Sequence, residues 1–308
     1  MATCMNHRQL LSDNTDRTIQ PWLLAHRIHL HDALKKAATS MEGEGTPAKL
    51  HTSSKVLDVD VSTATIFLED GRQIQGDLVV GSDGVHSVTR GKVAGGNVKP
   101  HGSGKSAFRF LISRKAAQED PLTSKLVQKS GELIIWYGSD RRVVVYPTTN
   151  NELLNFVCIH PEAESEAEDD TWNTRGNYEK MLQVYESFDP ALLALLKKAD
   201  IDGLKVWKLL DMEVLPSWVN EKLALLGDAA HPFLPHQGQG AGCAIEDGAS
   251  LAVVLPEDTP RDEIADRLQL YEQIRIKRAN RLQEFSRVAG YDLKEHTKFD
   301  SLSPFVET

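Results

Sequence analysis

The sequence predicts a mixed α/β chain of two domains, the first interrupted by the second, and three observations carry that prediction. Two apolar runs, Leu78-Val79-Val80 and Leu223-Ala224-Leu225-Leu226, end in the glycine-bearing turns Gly81-Ser82-Asp83-Gly84 and Gly227-Asp228, and each leads into helix-compatible sequence. Between them lie strand-like runs at 107–112, 132–137, 142–146 and 153–159, enough for a second sheet. A length of 308 residues, 41% hydrophobic and 26% charged, suits a globular chain of about two domains. The expected division is 1–98 with 211–308 for the first domain and 99–210 for the second.

Taken in order, residues 22–38 space Leu23, Leu24, Ile28, Leu30, Ala33, Leu34 and Ala37 as a helix does, and the breaker-rich stretch 42–47 ends it. Runs at 55–60, 64–68, 72–75 and 77–80 read as a small antiparallel sheet, with Asp70-Gly71 as a hairpin signal. Residues 78–90 read as strand, tight loop and short helix, and 91–104 as a flexible connection. The acidic stretch 162–170 has too little apolar content to pack and reads as a solvated loop. Helices are expected at 178–188 and 190–198, a returning strand at 205–210, a buried strand at 222–226, and two strong helices at 238–255 and 261–288.

Charge and cysteine content narrow the function. The net charge is −9, and Glu162, Glu164, Glu166, Glu168, Asp169 and Asp170 supply most of it, which argues against a nucleic-acid partner. Cys4, Cys158 and Cys243 lack metal or redox spacing, so a reducing, cytoplasmic setting is expected. No apolar run reaches the roughly 18 residues of a membrane span, and residues 1–11 lack the apolar core of a signal peptide.

Local chemistry concentrates in two places. Gly227 lets the chain turn at a strand end, and Asp228 offers an acceptor suited to a sugar-like hydroxyl. Gly238, Gly240 and Gly242 keep a helix entrance bare, so its free amides can stabilise negative charge. Upstream, Asp83 can accept hydrogen bonds from neighbouring backbone or ligand groups, Arg90 can meet a phosphate and Ser87 can cap the short helix. His26, His29 and His31 do not share one helical face and no Cys or carboxylate completes a set, so no metal site is expected.

These motifs resemble a known family. Asp228-Ala-Ala-His231, Pro235, the glycines and Glu246-Asp247 resemble the second flavin motif of the class A flavoprotein monooxygenases, in order and spacing. Asp83-Gly-Val-His-Ser-Val-Thr-Arg90 is similar to the family's Asp-Gly motif, and His26-Arg27 with Leu30 to its His-Arg-x-x-Leu segment. Residues 105–112, 136–147 and 155–161 resemble the substrate domain of salicylate-hydroxylase-like enzymes with the p-hydroxybenzoate hydroxylase fold, and the resemblance covers residues 22–290.

It implies an FAD-dependent monooxygenase that consumes NADH or NADPH and hydroxylates a small phenolic or other aromatic substrate with O₂ through a flavin C4a-hydroperoxide. By the same resemblance Arg27, Asp83, Gly84, Arg90, Gly227, Asp228, Pro235, Gly238, Gly240 and Ala241 bind the cofactor. Arg109 and Tyr137 hold the substrate oxygen and gate flavin movement, while His231 and His236 relay protons or orient the loop. A homodimer is left open.

One departure from the family pattern stands out. No strand, Gly-x-Gly-x-x-Gly turn and helix precedes Trp22, so the expectation is a Rossmann-like domain lacking its first βαβ unit, a truncated form with impaired FAD binding. The alternatives are a non-catalytic remnant acting as a binding or interaction module, and an enzyme completed by another polypeptide.

Overall fold

The computed structural model describes residues 24–43, 45–95, 98–165 and 174–291. In chain order the elements are α1 (Arg27–Thr39), β1 (Val56–Asp60), β2 (Thr65–Leu68), β3 (Gln73–Gln75), β4 (Val79–Gly81), α2 (Arg90–Val93), β5 (His101–Ser113), α3 (Arg114–Gln118), β6 (Ile134–Tyr137), β7 (Arg142–Thr148) and β8 (Leu153–Pro161). They continue with α4 (Tyr178–Val184), α5 (Pro190–Leu196), β9 (Lys205–Asp211), β10 (Val219–Asn220), β11 (Leu223–Leu225), α6 (Gly240–Val254) and α7 (Ile264–Val288). The chain is mixed α/β, as its sequence predicts. Expectations placed on Cys4, on the start of the first helix, on the missing glycine-rich turn and on acidic residues 166–170 lie outside the described residues.

Two compact units form: His51–Ser103 with Leu209–Tyr291, and Gly104–Lys208 with the described residues up to Leu50. The divisions fall within β5 and β9. Helix α1, expected with the first domain, groups with the second unit; it buries none of its residues, so its apolar spacing does not mark a core face.

In the interrupted unit, β4 runs parallel to β11, with Val79 opposite Leu223 and Gly81 opposite Leu225, and β10 adds antiparallel to β11. Residues 77–80 were expected in the antiparallel sheet of their neighbours, but only β1, β2 and β3 form that sheet. The physical reason is burial: β11 is buried along its length, as parallel strands are, and it pairs with another short apolar run rather than with the exposed β3. The Asp70-Gly71 hairpin forms as expected, with Gly71 at φ +86° and its N–H donating to the Leu68 carbonyl at 3.0 Å. Helices α6 and α7 cover a core that includes Met212, Trp218, Leu225, Leu251, Leu268 and Tyr271, and the Tyr271 hydroxyl donates to the Leu225 carbonyl at 2.9 Å.

In the other unit a five-stranded sheet has the order β6-β7-β8-β5-β9. Alternation along antiparallel strands sends Phe108, Phe110, Val143, Val145, Phe156 and Cys158 to one face, where α4 and α5 supply Met181, Leu192 and Leu195. Asn177 and Asp189 cap those helices through their side-chain oxygens, and Pro190 opens α5. Strand β5 begins at His101, inside the span expected to be a loop, because Gly102 and Gly104 give a strand no side chains by which to announce itself. Glu162 and Glu164, expected in a solvated loop, are tied down: Glu164 receives two hydrogen bonds from Arg141, at 2.8 and 2.7 Å, and Glu162 pairs with Lys208 at 3.1 Å. Among the described residues no helix is long and apolar enough to cross a membrane.

Candidate functional site

The interrupted unit brings two loops together. After β4 the chain turns through Asp83 and Gly84, the latter at φ +78°. The Asp83 carboxylate is engaged by its own loop: Oδ1 accepts from the Ser87 and Thr89 hydroxyls at 2.6 and 2.7 Å, and Oδ2 from the Val88 and Thr89 amides at 2.8 and 3.0 Å. Burial works to raise its pKa, but the bonds from Ser87 and Thr89 outweigh burial and hold it below the usual carboxylate range. Ser87 also accepts from the Arg90 amide at 2.9 Å, at the start of α2.

Arg90 is 2% exposed. Its guanidinium donates to the carbonyls of Ala229 and Val85 at 2.8 Å, Asp228 at 2.9 Å and Gly84 at 3.2 Å. Burial lowers its pKa, opposed by the charges of Asp83 and Asp228. The sequence suggested direct contact with a phosphate, whereas the structure makes Arg90 a brace that locks the Asp83-Gly84 loop against the Asp228 loop.

The second loop leaves β11 at Gly227, with φ +61°. A Cβ there would lie 3.2 Å from the Ala244 Cβ, so the close approach to α6 and the left-handed backbone both call for glycine. The Gly227 amide donates to Asp247 Oδ2 at 3.0 Å, and the same oxygen meets His231 Nε2 at 2.7 Å. Oδ1 of this fully buried aspartate accepts from Arg275 Nε at 2.8 Å. Burial raises the Asp247 pKa, but His231, Arg275 and the Gly227 amide together carry it below its ordinary value.

Beyond His231 the chain passes Pro235, whose carbonyl accepts from the Gly238 amide at 3.4 Å, with Gly238 at φ +63°. His236 packs against Gly290, where a Cβ would come within 2.6 Å of its Nε2. Helix α6 then opens with Gly240-Ala241-Gly242, with no side-chain cap and no acidic residue in its first turn. A Cβ on Gly240 or Gly242 would meet nothing closer than 3.7 Å, so the entrance is bare and the first-turn amides lack intrahelical partners.

His231, Cys243 and Asp247 bring one ligating atom each to within 4.8 Å of one another. The chemistry argues for a charge network instead of a metal centre. Arg275 already places a cation on Asp247 and donates to Cys243 Sγ at 3.3 Å, and burial pushes the Cys243 thiol up to about 11. Both carboxylate oxygens are taken, and a second positive charge would be repelled.

In the other unit Arg109 stands on the face of the five-stranded sheet away from the core. Its Nε donates to Asn155 Oδ1 at 3.3 Å, and its guanidinium carbon lies 5.5 Å from the Trp207 ring centroid. Tyr146, directly opposite Asn155, lies near enough that its phenol and Arg109 shift each other. Burial raises the Tyr146 pKa and the Arg109 charge opposes it; burial lowers the Arg109 pKa, opposed by Tyr146 and reinforced by Arg27. Burial lowers the His26 pKa, and the charges of His29 and Arg109 add to this.

Tyr137 shares this face, with the Arg142 guanidinium 5.6 Å from its ring centroid. It stands on the edge strand β6, three strand spacings or about 14 Å from β5, the strand that carries Arg109. Tyr146 and Asn155 are the side chains that stand beside Arg109. Asp83, Gly84, Arg90, Gly227, Asp228, Pro235, Gly238, Gly240 and Ala241 thus belong to one unit, and Arg27, Arg109 and Tyr137 to the other.

Sequence reasoning assigned no role to Arg275, Tyr146, Asn155 or Trp207. A signal for Arg275 existed: the buried stripe of α7 runs through Leu268, Tyr271, Arg275 and Ala279, and a charge in such a stripe needs a buried partner. For the sheet residues the strand order was needed, which a sequence does not print.

Comparison with known proteins gives the same architecture. A family model described as FAD binding domain matches residues 8–286. The chain is 37% identical over 269 residues to FAD-dependent monooxygenase phomE' of Diaporthe leptostromiformis, covering 86% of this chain and 67% of that protein. It is 30% identical over 295 residues to salicylate hydroxylase of Pseudomonas putida, covering 90% of this chain and 66% of that one. Among solved structures, a salicylate hydroxylase substrate complex superposes with a TM-score of 0.69 at 26% identity, over 86% of this chain and 65% of that one. The chain spans about two thirds of the length of these relatives. With the family model matching nearly the whole chain and the braced glycine loops in place, the chain belongs to the FAD binding domain family, among the FAD-dependent monooxygenases.

Proposed function

We propose that this protein binds FAD in the unit of residues 51–103 and 209–291, takes a small aromatic substrate on the sheet of residues 104–208, and acts as a monooxygenase with NADH or NADPH as reductant. The observation that carries the proposal is the uncapped N-terminus of α6, opened by three small residues and reached from the left-handed turn at Gly227. That cradle fits FAD: it offers amide donors and a positive helix end to an anionic group, and glycine at 227 lets its loop lie close against Ala244 of α6.

Gly227, Asp228, Gly238, Gly240 and Ala241 would hold the cofactor, with Pro235 shaping the turn. Asp83, Gly84 and Arg90 keep the two loops in register. When bound and reduced, FAD supplies the oxygen-activating chemistry that places one atom of O₂ on an electron-rich ring. The protein's part is to bind, orient and exclude water. Arg109 offers a fixed cation to an oxygen of the ring substrate, with the Trp207 ring beside its guanidinium. A cytoplasmic setting agrees with Cys158 and Cys243 being buried free thiols.

The test is the visible spectrum of the purified chain after incubation with FAD and desalting, followed by NADH and NADPH oxidation with a panel of phenols. A retained flavin band and phenol-stimulated oxidation are expected. Loss of all flavin at saturating FAD would overturn the proposal.

A further inference from the structure

Asn155 is out of place by ordinary criteria. It is 3% exposed in the central strand β8, and asparagine is a poor strand former. Its Oδ1 accepts from Arg109 Nε at 3.3 Å, while its Nδ2 meets no hydrogen-bond partner among the described residues. An unmet buried amide donor is destabilising, so a side chain kept in that state calls for an explanation. Rotating the amide by half a turn gives none, because it would set the NH₂ group against the guanidinium, donor against donor.

Register places Asn155 directly opposite Tyr146, and the bond to Arg109 puts its amide on the face that also carries Trp207. With Oδ1 already taken by Arg109 Nε, the amide NH₂ is left as a donor beside a cation, with no acceptor of its own among the described residues. What completes such a pair best is a strong acceptor, a phenolate, a ring carbonyl or a carboxylate, ahead of a neutral hydroxyl, which accepts more weakly.

We propose that Asn155 is a specificity-determining residue whose Nδ2 donates to an acceptor oxygen on the aromatic substrate, alongside Arg109, so that the site selects rings bearing an anionic or carbonyl oxygen. The inference rests on the reading of this sheet as the substrate face. Through Oδ1 the same side chain fixes the guanidinium, so the two donors arrive as one preset unit.

The experiment measures binding of salicylate and of salicyl alcohol to the full chain by titration calorimetry, in the native protein and in Asn155→Asp and Asn155→Leu. Asn155→Asp keeps the acceptor for Arg109 and the side-chain shape but replaces the donor by a carboxylate. It is expected to weaken salicylate by about tenfold or more while sparing salicyl alcohol, whose hydroxyl can donate to the new carboxylate. Asn155→Leu removes both functions and is expected to weaken salicylate without gaining the alcohol. A ratio of the two affinities that Asn155→Asp leaves unchanged overturns the inference, and general loss of folding does not imitate a change in that ratio. If the native chain binds neither ring, the substrate-face reading itself fails and this inference falls with it.

Discussion

At the scale of single residues, the buried ionisable groups lead to measurable consequences. His160 is wholly buried, stacks on Phe108 at 4.5 Å between ring centroids, and is held neutral by burial, its pKa lowered to about 4. The unfolded chain takes up a proton as pH falls through 6.5, whereas the folded ring resists until about 4. The stabilisation is therefore fully present above pH 6.5 and is lost as pH falls towards 4, amounting to about 3 kcal/mol across the window. Urea denaturation at stepped pH should show His160→Phe with a flatter slope between pH 6.5 and 4 than the native chain; parallel slopes would refute the assignment.

Arg275 makes a second case. Replacing it by methionine leaves Asp247 buried with only His231 and the Gly227 amide as partners, and should lower the unfolding free energy by about 3–5 kcal/mol in the same assay. A loss below about 1 kcal/mol would show that the remaining hydrogen bonds to Asp247 suffice without the guanidinium. The contrast between Asp83 and Arg275 shows what a sequence discloses at this scale. Asp83 was legible because its partners, Ser87 and Thr89, lie within one turn of chain. Arg275 reaches Asp247 across the α6–α7 contact, and only folding brings that pair into range.

At the scale of elements, the meeting of β4 with its loop is a steric matter. A Cβ on Gly81 would lie 2.1 Å from Thr89 Oγ1 and 2.8 Å from Thr89 Cβ, while one on Gly84 meets nothing within 4 Å and bears only the strain of φ +78°. Gly81→Ala should thus cost about 2–3 kcal/mol and dislodge Thr89 from Asp83, whereas Gly84→Ala costs about 1 kcal/mol. Thermal melts of the two variants give the order directly, and the reverse order would count against this packing. Gly81 reads in the sequence only as a turn residue. Its role in receiving Thr89 belongs to the junction of β4 with β11, and short β4 looked like one more strand of the neighbouring meander. Long, strongly patterned elements such as α6 and α7 fell within a few residues of their expected bounds, since the two-turn repetition of apolar positions is local information. Strands of two or three residues, β10 above all, carry too few positions for any period to register.

At the scale of the whole molecule, the interrupted order of the two units was legible because each half of the glycine-bearing unit announces itself with a strand and a turn. The placement of α1 was not, since a helix with no buried residue leaves no core pattern from which to assign it. The same interruption sets a timetable for the newborn chain. Strand β4 leaves the ribosome about 140 residues before its parallel partner β11, and at about 5–20 residues per second it waits on the order of ten seconds with that backbone edge unpaired. Strands β5 to β8 lie close together in sequence and can close their antiparallel ladder during that interval. The glycine loops therefore acquire their brace late in synthesis, and a nascent chain stalled before β11 would present β4 as an open edge for chaperones to hold.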